Sequence, residues 1–501
     1  TTITNFIRTI LLPSFSINSN LRSRFSTRYL ANFTFTKSKS ATNWRKTFVI
    51  SLTLIGILGL LSLFILLALR MPVALSMLSV GFIGTIIANA YKFMAVGMAE
   101  DQAWSRGLKV AYSNLAGETF EAASNYNLLV IPMFVLMGNL AGVSGMSKDL
   151  FSAAYRWMGH LRGGLASATI AACAGFAALS GSSLASAVTM GRVALPEMKK
   201  YKYADSLATG SVAAGGTLGF LIPPSGGMII YAVLTEQSIG RLFMAGVFPG
   251  IILTLLFIGA IYCVVIRNPT AGPRAKRFGR PERVTSLWRA LPIVGVVLIT
   301  IGGMYTGFFT PVEASSIGAF LTFVVAAYRQ SLGWQASKAV ILETMNATAT
   351  VFLIIIGAFV FIPFMSLTEL PAQLVTILTS LPIGNIGILL IIVLIYMFLG
   401  MFLEAIAMLV LTIPVVIPIA VALDWDLIWF GIILVIVLEM GMISPPVGIN
   451  VFIVKSIARD VPMSTIFRGI WPFWFAMAAM IGLLILFPQI ALYLPQAVVG
   501  G

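Results

Sequence analysis

The chain has 501 residues, of which 59% are hydrophobic and only 10% are charged, and its mean hydropathy is +0.98. Because soluble domains carry about 25% charged residues, this composition excludes an ordinary soluble protein and predicts a polytopic membrane protein. The formal net charge of +15 is concentrated in residues 1–47 and 267–289. Nucleic-acid binding would need a basic face on a folded domain, whereas basic loops are typical of the cytoplasmic side of a membrane protein.

Residues 1–47 form a basic tail without an apolar run long enough to cross a membrane. The topology counted from the rest of the chain predicts this tail outside, against the charge bias. Four interpretations of this tail remain: a mis-assigned start, a processed extension, a contact surface for a partner, or a transit peptide. We therefore assign it no function.

The first half of the chain contains a predicted re-entrant hairpin. If the basic loop 267–289 lies in the cytoplasm, the segment 163–198 must enter and leave the membrane on that side, with its tip at residues 180–183. A helix interrupted by Pro223 and Pro224 follows. Hairpin and broken helix together would form half of a transport domain.

The second half repeats this order with the opposite orientation. A hairpin with its tip near Glu404 is predicted to open outward, and a helix interrupted by Pro445 and Pro446 follows it. The predicted divisions are 1–47 (tail), 48–162 (N-terminal scaffold helices and arm), 163–242 (first half of the transport domain), 243–367 (scaffold helices with the basic loop), 368–386 (connecting arm), 387–460 (second half of the transport domain) and 461–501 (C-terminal helix).

The paired helix breaks predict a carrier. A double proline removes two backbone donors and exposes peptide groups that lipid cannot satisfy, so such breaks persist where they line a protein cavity. Gly/Pro-interrupted segments in corresponding positions of two halves are typical of the binding site of a secondary transporter. The alternative is that Gly and Pro are simply frequent in transmembrane helices, but this does not account for two matched breaks of opposite orientation. The predicted fold is thus an all-α inverted repeat with an elevator-type transport domain and a scaffold.

Three motifs carry a resemblance to a known family. They are Phe-Thr-Pro-Val-Glu-Ala at 309–314, the segment 218–225, and the segment 438–452 with Ser-Pro-Pro-Val-Gly-Ile-Asn at its centre. The chain resembles the large membrane subunit of tripartite ATP-independent periplasmic (TRAP) transporters of the C4-dicarboxylate type. The match runs from about residue 48 to the C-terminus. The chain departs from the family in its tail, in a longer stretch at 94–121, and in having Glu404 where the family usually has Asp.

This resemblance implies a multi-pass protein of the bacterial inner membrane that imports a small organic acid, a carboxylate or a sulfonate, by sodium-coupled elevator movement. It also implies a small four-helix membrane subunit and a periplasmic substrate-binding protein as partners. A sodium/organic-anion symporter that works without a binding protein is the alternative, and a membrane-complex subunit that transports nothing is a further one. The sequence does not identify the organic acid.

Sodium is the implied coupling ion, with at least two sites. It prefers oxygen ligands, which carbonyls freed at helix breaks and hydroxyl groups can supply. The alternative for the serines is close helix packing, in which small residues are enriched. The candidate sodium ligands are Ser182, Ser183, Gly215 and Thr217 in the first half, and Glu404, Gly441, Ser444 and Gly448 in the second.

The substrate is expected between the two hairpin tips. Arg192 could pair with an anionic group or extend to the inner interface, and Asn450 offers both a donor and an acceptor. The candidate substrate-binding residues are Ser180, Gly181, Arg192, Pro223, Pro224, Ser225, Pro445, Pro446 and Asn450.

Four acids, Glu313, Glu343, Glu404 and Glu439, fall within or near predicted spans, where an ionised carboxylate is costly unless it is paired or wet. Glu404 has the best functional case, while for Glu313 and Glu439 a structural and a functional role are equally open. The sequence contains one histidine and no nucleophile–base pattern. We therefore predict that the chain is not an enzyme.

Overall fold

The computed structural model describes residues 39–499, with side-chain surroundings from residue 52 onward. It is 82% helical, and the described residues contain no strand. The chain divides after Ser51, and the unit that begins at Leu52 holds the core. The prediction of an all-α polytopic membrane protein is confirmed, since nine described segments are long and apolar enough to cross a membrane. The inverted repeat and the elevator movement stay predictions.

Twenty α-helices follow one another along the described chain. Their bounds are α1 Lys39–Ala68, α2 Val73–Ala95, α3 Glu100–Ser124, α4 Val130–Val143, α5 Met146–Met158, α6 Gly164–Ser180, α7 Ser183–Lys200, α8 Asp205–Leu221, α9 Gly226–Leu234, α10 Ile239–Arg267, α11 Arg280–Tyr305, α12 Pro311–Tyr328, α13 Trp334–Leu367, α14 Leu370–Thr379, α15 Gly384–Gly400, α16 Ala405–Ala422, α17 Leu427–Met442, α18 Ile449–Ile457, α19 Met463–Leu486 and α20 Gln489–Val499.

The stretch at 94–121 that departs from the family pattern lies largely in α3, a mostly polar helix that packs against α2 and α13. Its buried positions are Ala103, Gly107, Ala111 and Ala122, and the first three are spaced by four residues and therefore lie on one face. A Cβ at Gly107 would lie 2.8 Å from the carbonyl oxygen of Ile86 in α2. Small residues thus let these two helices approach closely.

The predicted hairpins and breaks correspond to pairs of helices. α6 and α7 are joined by Gly181 and Ser182, and α15 and α16 by residues 401–404. The two broken helices are α8 with α9 and α17 with α18. The Pro223–Pro224 and Pro445–Pro446 peptides are both cis. In each half, the residues between the two broken pieces interrupt helical hydrogen bonding within apolar sequence.

Helix α8 is central to the packing. From Leu207 to Leu221 every residue is buried, and the helix contacts α6, α7 and α19. At the crossing with α19, a Cβ on Gly210 would overlap the carbonyl oxygen of Gly469, and a Cβ on Gly469 would overlap the carbonyl oxygen of Ser206. The two backbones are in direct contact, so this crossing has no space for a side chain.

The basic loop is attached to its neighbours by main-chain hydrogen bonds. The Gly163 amide donates to the carbonyl of Gly272 over 2.9 Å, just before α6 begins. The Ala204 amide, just before α8, donates to Ala271 over 3.0 Å. The loop thereby connects the starts of α6 and α8 to the end of α10.

Candidate substrate and cation site

The first hairpin tip is hydrogen-bonded to the first helix break. Gly181 has a left-handed backbone (φ 58°), which reverses the chain between α6 and α7. Its carbonyl accepts a hydrogen bond of 3.0 Å from the amide of Gly226, the first residue of α9. The Ser182 side chain accepts from the Ala185 amide and caps α7. The tip and the break therefore form one unit.

The second tip has the same relationship to the second break. The Gly448 amide, just before α18, donates to the carbonyl of Met401 over 3.3 Å. The Glu404 carboxylate accepts from the Ala407 amide over 3.2 Å and caps α16. In each half of the chain, therefore, one main-chain hydrogen bond joins the hairpin tip to the helix break.

Four helix N-termini lie at these tips and breaks. Ser182, Ser225, Glu404 and Gly448 are the N-cap residues of α7, α9, α16 and α18. The unpaired amides and the dipole at a helix N-terminus favour negative charge. This arrangement can hold an anionic group without a basic side chain.

A cavity of about 320 Å³ lies at the first tip and extends to Glu404 of the second. Its remaining walls come from α4 and from the middle of α13. The lining residues are Ile131, Phe134, Val135, Gly138, Asn139, Ser180, Gly181, Ser182, Ser183, Leu184, Ala185, Phe220, Gly226, Ile229, Ile230, Glu343, Ala347, Val351, Glu404 and Ile406.

A polar cluster adjoins the cavity. Its members Ser183 and Glu404 line the cavity, and its members Glu439 and Asn450 are buried. The Glu439 side chain is 1% exposed and that of Asn450 is fully buried. The side-chain amide of Asn450 donates to Glu439 Oε2 over 3.4 Å. Ser183 and Glu404 both lie close enough to Glu439 to influence its charge.

Two oxygens of this cluster, Glu439 Oε1 and Asn450 Oδ1, have no hydrogen-bond partner among the described residues. Buried polar atoms are normally paired, because an unpaired one has lost its water without compensation. Both atoms are acceptors, and one belongs to a carboxyl group. The cluster therefore has the chemistry of a site for a small cation or for a proton.

Five of the predicted site residues line the cavity: Ser180, Gly181, Ser182, Ser183 and Glu404. The Ser180 and Ser186 hydroxyls are hydrogen-bonded to each other over 2.7 Å. The loop geometry at the tips brings these residues together, because each tip is fixed by its bond to a break.

The α8 candidates lie on other faces of the helix. A Cβ at Gly215 would lie 2.7 Å from Cys173 Sγ, so Gly215 faces α6. The Thr217 hydroxyl donates to the Ala214 carbonyl over 2.6 Å. The glycines that face the first tip are Gly216 and Gly219. These two neighbours were missed because the sequence does not define how α8 is rotated.

The candidates at the second break lie beside it and do not line the cavity. Gly441 packs on the backbone of Gly400, which its added Cβ would approach to 2.7 Å. The Ser444 hydroxyl donates to the Met440 carbonyl over 2.6 Å and accepts from Trp474 Nε1 over 3.0 Å. These contacts fix the second break against α15 and α19.

The proline candidates have differing surroundings. Pro223 lines a separate apolar cavity of about 350 Å³, whereas the Pro224 carbonyl lies 2.9 Å from where a Cβ on Gly181 would be. Ser225 is buried, caps α9, and donates to the Phe220 carbonyl over 2.5 Å. Pro445 and Pro446 are exposed.

Arg192 does not line the cavity and is exposed on α7. Asn139 and Glu343 line the cavity but were not among the predicted site residues, and Glu343 was noted only as an acid within or near a predicted span. Asn139 Nδ2 donates to Thr344 Oγ1 over 3.0 Å and joins α4 to α13 at the cavity wall.

The comparison with protein families decides the identity of the chain. Residues 60–490 match the family described as "Tripartite ATP-independent periplasmic transporter, DctM component". The chain belongs to this family. It is therefore a large permease subunit of a TRAP transporter, a multi-pass inner-membrane protein and not an enzyme, which confirms these predictions.

Curated relatives cover most of this TRAP permease. It is 32% identical to the C4-dicarboxylate TRAP transporter large permease protein DctM of Pseudomonas aeruginosa, over 76% of this chain and 89% of the relative. It is 32% identical to the sialic acid TRAP transporter large permease protein SiaM of Vibrio cholerae, over 86% of this chain and 96% of the relative. It is 33% identical to the ectoine TRAP transporter large permease protein TeaC of Halomonas elongata, over 74% of this chain and 86% of the relative.

Two solved structures share the fold of this TRAP permease. The YdaH transporter of Alcanivorax borkumensis superposes with a TM-score of 0.58 at 17% identity, over 77% of this chain and 90% of that one. MtrF of Neisseria gonorrhoeae superposes with a TM-score of 0.51 at 14% identity, over 75% of this chain and 84% of that one. At these identities the likeness concerns the fold alone.

Proposed function

We propose that this permease imports a small organic acid by sodium-coupled elevator movement. The mobile part would be α6 to α9 together with α15 to α18, and the substrate would bind in the cavity at the hairpin tips. A small membrane subunit would extend the scaffold, and a periplasmic binding protein would deliver the substrate. The relatives named for C4-dicarboxylates, sialic acid and ectoine favour a small carboxylate.

One observation carries this proposal, namely that each hairpin tip is bonded to its own helix break. The bonds from Gly226 to Gly181 and from Gly448 to Met401 make each tip and break a single unit. Such discontinuous helices supply main-chain ligands inside a membrane without exposing them to lipid. A subunit that served assembly alone would not need them.

The unpaired oxygens of Glu439 and Asn450 support sodium as the coupling ion. A cation there would neutralise a carboxylate that is otherwise costly to bury. The ion would also lie beside Ser183, which lines the cavity. Ion binding and substrate binding would thereby share one structural element.

Uptake into proteoliposomes that contain the permease, its small subunit and its binding protein tests the proposal. We expect an inward sodium gradient to drive uptake, and a potassium gradient of equal size to fail. The double variant Ser182→Ala with Ser183→Ala should abolish sodium-dependent uptake while its expression stays normal. The matched control is Ser315→Ala with Ser316→Ala, an adjacent serine pair on α12 whose hydroxyls donate to the Val312 carbonyl.

Uptake that continues at the same rate without sodium would overturn the coupling. Sodium-driven uptake that persists without the binding protein would instead identify a symporter that works alone. Loss of uptake in the control pair as well would mean that the serine substitutions act through folding, and would remove the support that the tip variants give.

A further inference from the structure

The charges that line the cavity are unusual for a site that receives an anion. Its charged lining residues are Glu343 and Glu404, both acidic, and its other polar side chains are hydroxyls and the amide of Asn139. Arg192, the basic candidate, lies elsewhere on α7. Among the described residues, therefore, no basic side chain of the cavity would neutralise a second negative charge on the substrate.

The two acids have different surroundings. The Glu404 carboxylate caps α16 through the Ala407 amide and lies close to Glu439, so it already has a structural function. Glu343 is exposed on α13 and makes no hydrogen bond or ion pair with any described residue. It is therefore the free charge of the cavity.

Glu343 and the first hairpin tip belong to different walls of the cavity. The tip wall holds the N-termini of α7 and α9, capped by Ser182 and Ser225, which favour a carboxylate. The α13 wall offers the Glu343 carboxylate, which favours a cationic group. The cavity thus presents opposite electrostatic preferences at two sides.

Asn139 strengthens the preference of the α13 wall. Its Nδ2 donates to Thr344, the residue next to Glu343, and this bond fixes the amide at the wall. The remaining atom, Oδ1, is an acceptor. Together, Glu343 and Asn139 offer a carboxylate and a carbonyl oxygen to an N–H group of a bound molecule.

We infer that the substrate is a zwitterion, with a carboxylate held at the first hairpin tip and a cationic nitrogen held by Glu343. A dianion would instead place its second negative charge beside the Glu343 carboxylate, and like charges repel. This inference rests on the proposed function, because it assigns the substrate class to the same cavity.

The test compares two probes in the complete three-component system, with ectoine as the zwitterion and succinate as the dianion. We expect sodium-driven uptake of ectoine that succinate does not inhibit. Glu343→Gln keeps the shape of the side chain and removes its charge, so the KM for ectoine should rise about tenfold or more, as loss of one charged hydrogen bond predicts. The maximal rate should change less than twofold.

Glu343→Asp should restore part of the affinity, which a merely structural residue would not require. Glu282→Gln is the control, since Glu282 is an exposed acid that caps α11. The zwitterion assignment would be overturned if succinate were taken up under a sodium gradient while ectoine was not. An unchanged KM for ectoine in Glu343→Gln would overturn it as well. Either result would leave the proposed function standing. If ectoine is not taken up under a sodium gradient while both partners are present, the inference fails. Sodium-driven uptake of sialic acid, for which a relative is named, would then leave the proposed function standing.

Discussion

The Asn450 side chain donates to the Glu439 carboxylate across the second helix break, over 3.4 Å. The two residues belong to the two pieces of one broken helix, α17 and α18, so the bond spans the interruption itself. It uses only one oxygen of the carboxyl group, and within the part of the chain that the structure describes, Glu439 Oε1 and Asn450 Oδ1 have no partners. A cation or proton bound by these two acceptors would therefore contact both pieces of the broken helix.

Glu439→Gln should weaken sodium binding and leave the fold intact. The substitution removes the charge but preserves the size of the side chain, so the sodium concentration for half-maximal uptake should rise about tenfold or more. A sodium titration of uptake in proteoliposomes measures this. Glu313→Gln, at an exposed capping acid of α12, should leave the titration unchanged. A Glu439→Gln curve that coincides with the wild type would exclude the cluster as a sodium site.

Gly219→Ala should displace the first hairpin tip. The added Cβ would lie 2.6 Å from the carbonyl oxygen of Ser182 and 2.7 Å from Ser186 Oγ. Overpacking of this kind typically costs about 1–3 kcal/mol, so we expect a lower thermal midpoint and reduced uptake. Gly295→Ala on α11, whose added Cβ meets no atom of the described residues within 4 Å, is the control and should behave like the wild type. Equal midpoints for both variants would contradict the tight contact.

Gly469→Ala should be more damaging, because it affects the contact between two backbones. The new Cβ would overlap the carbonyl oxygen of Ser206, and neither α8 nor α19 has a flexible side chain there that could move away. We expect little folded protein in size-exclusion chromatography. Gly482→Ala lies on the same helix, its added Cβ has no described neighbour within 4 Å, and it should express normally. Normal yield of Gly469→Ala would show that the crossing can separate.

The ion pair between Asp460 and Lys199 predicts a small dependence of stability on pH. The Lys199 ammonium lowers the pKa of Asp460, which lies in the loop between α18 and α19. Because the folded-state pKa lies below the unfolded value of about 3.9, the stabilisation is present at neutral pH and is lost as the pH falls through the folded pKa.

Wild type and Asp460→Asn should therefore differ in thermal midpoint at pH 7 and converge below about pH 4. The pair is exposed, so the difference should be small and should shrink in 1 M salt. A difference that grew on acidification would contradict this assignment.

Arg329 should anchor the start of α5. Its guanidinium donates to Asp149 over 2.6 Å and to the carbonyls of Ser144 and Arg289 over 3.3 Å each. Arg329→Lys cannot reproduce this fork, and we expect a loss of roughly 1–3 kcal/mol of stability. Thermal unfolding measures it, with Arg277→Lys in the basic loop as the control. Equal thermal midpoints for the wild type and Arg329→Lys would show that a lysine at this position stabilises the start of α5 as well as the arginine does.

The sequence predicted the interrupted helices well because their cause is local. Gly181 has a left-handed backbone, which glycine favours, and the double prolines at 223–224 and 445–446 each remove two consecutive backbone donors. Hydropathy likewise identified the apolar helices. By contrast, α3 is a mostly polar helix that packs through small residues on α2, a property that composition does not reveal.

The candidate site could be predicted only in part. The tip residues were found because the chain reverses there, whereas Gly216 and Gly219 were missed in favour of Gly215 and Thr217. Which of these neighbours faces the tip depends on how α8 is rotated by its contacts with α6, α7 and α19. Glu343 shows the same limitation, since only tertiary packing brings the middle of α13 to the cavity.

The loop between α10 and α11 has a practical consequence for engineering. Three of its main-chain groups are hydrogen-bonded to neighbouring segments, namely the carbonyls of Ala271 and Gly272 and the amide of Ala275. These bonds restrict the conformation of the loop although it contains prolines and glycines. An epitope or a fluorescent reporter inserted there would pull apart the junction at the base of α6. The exposed turn at Gly97, which has open space around it, is the better insertion point.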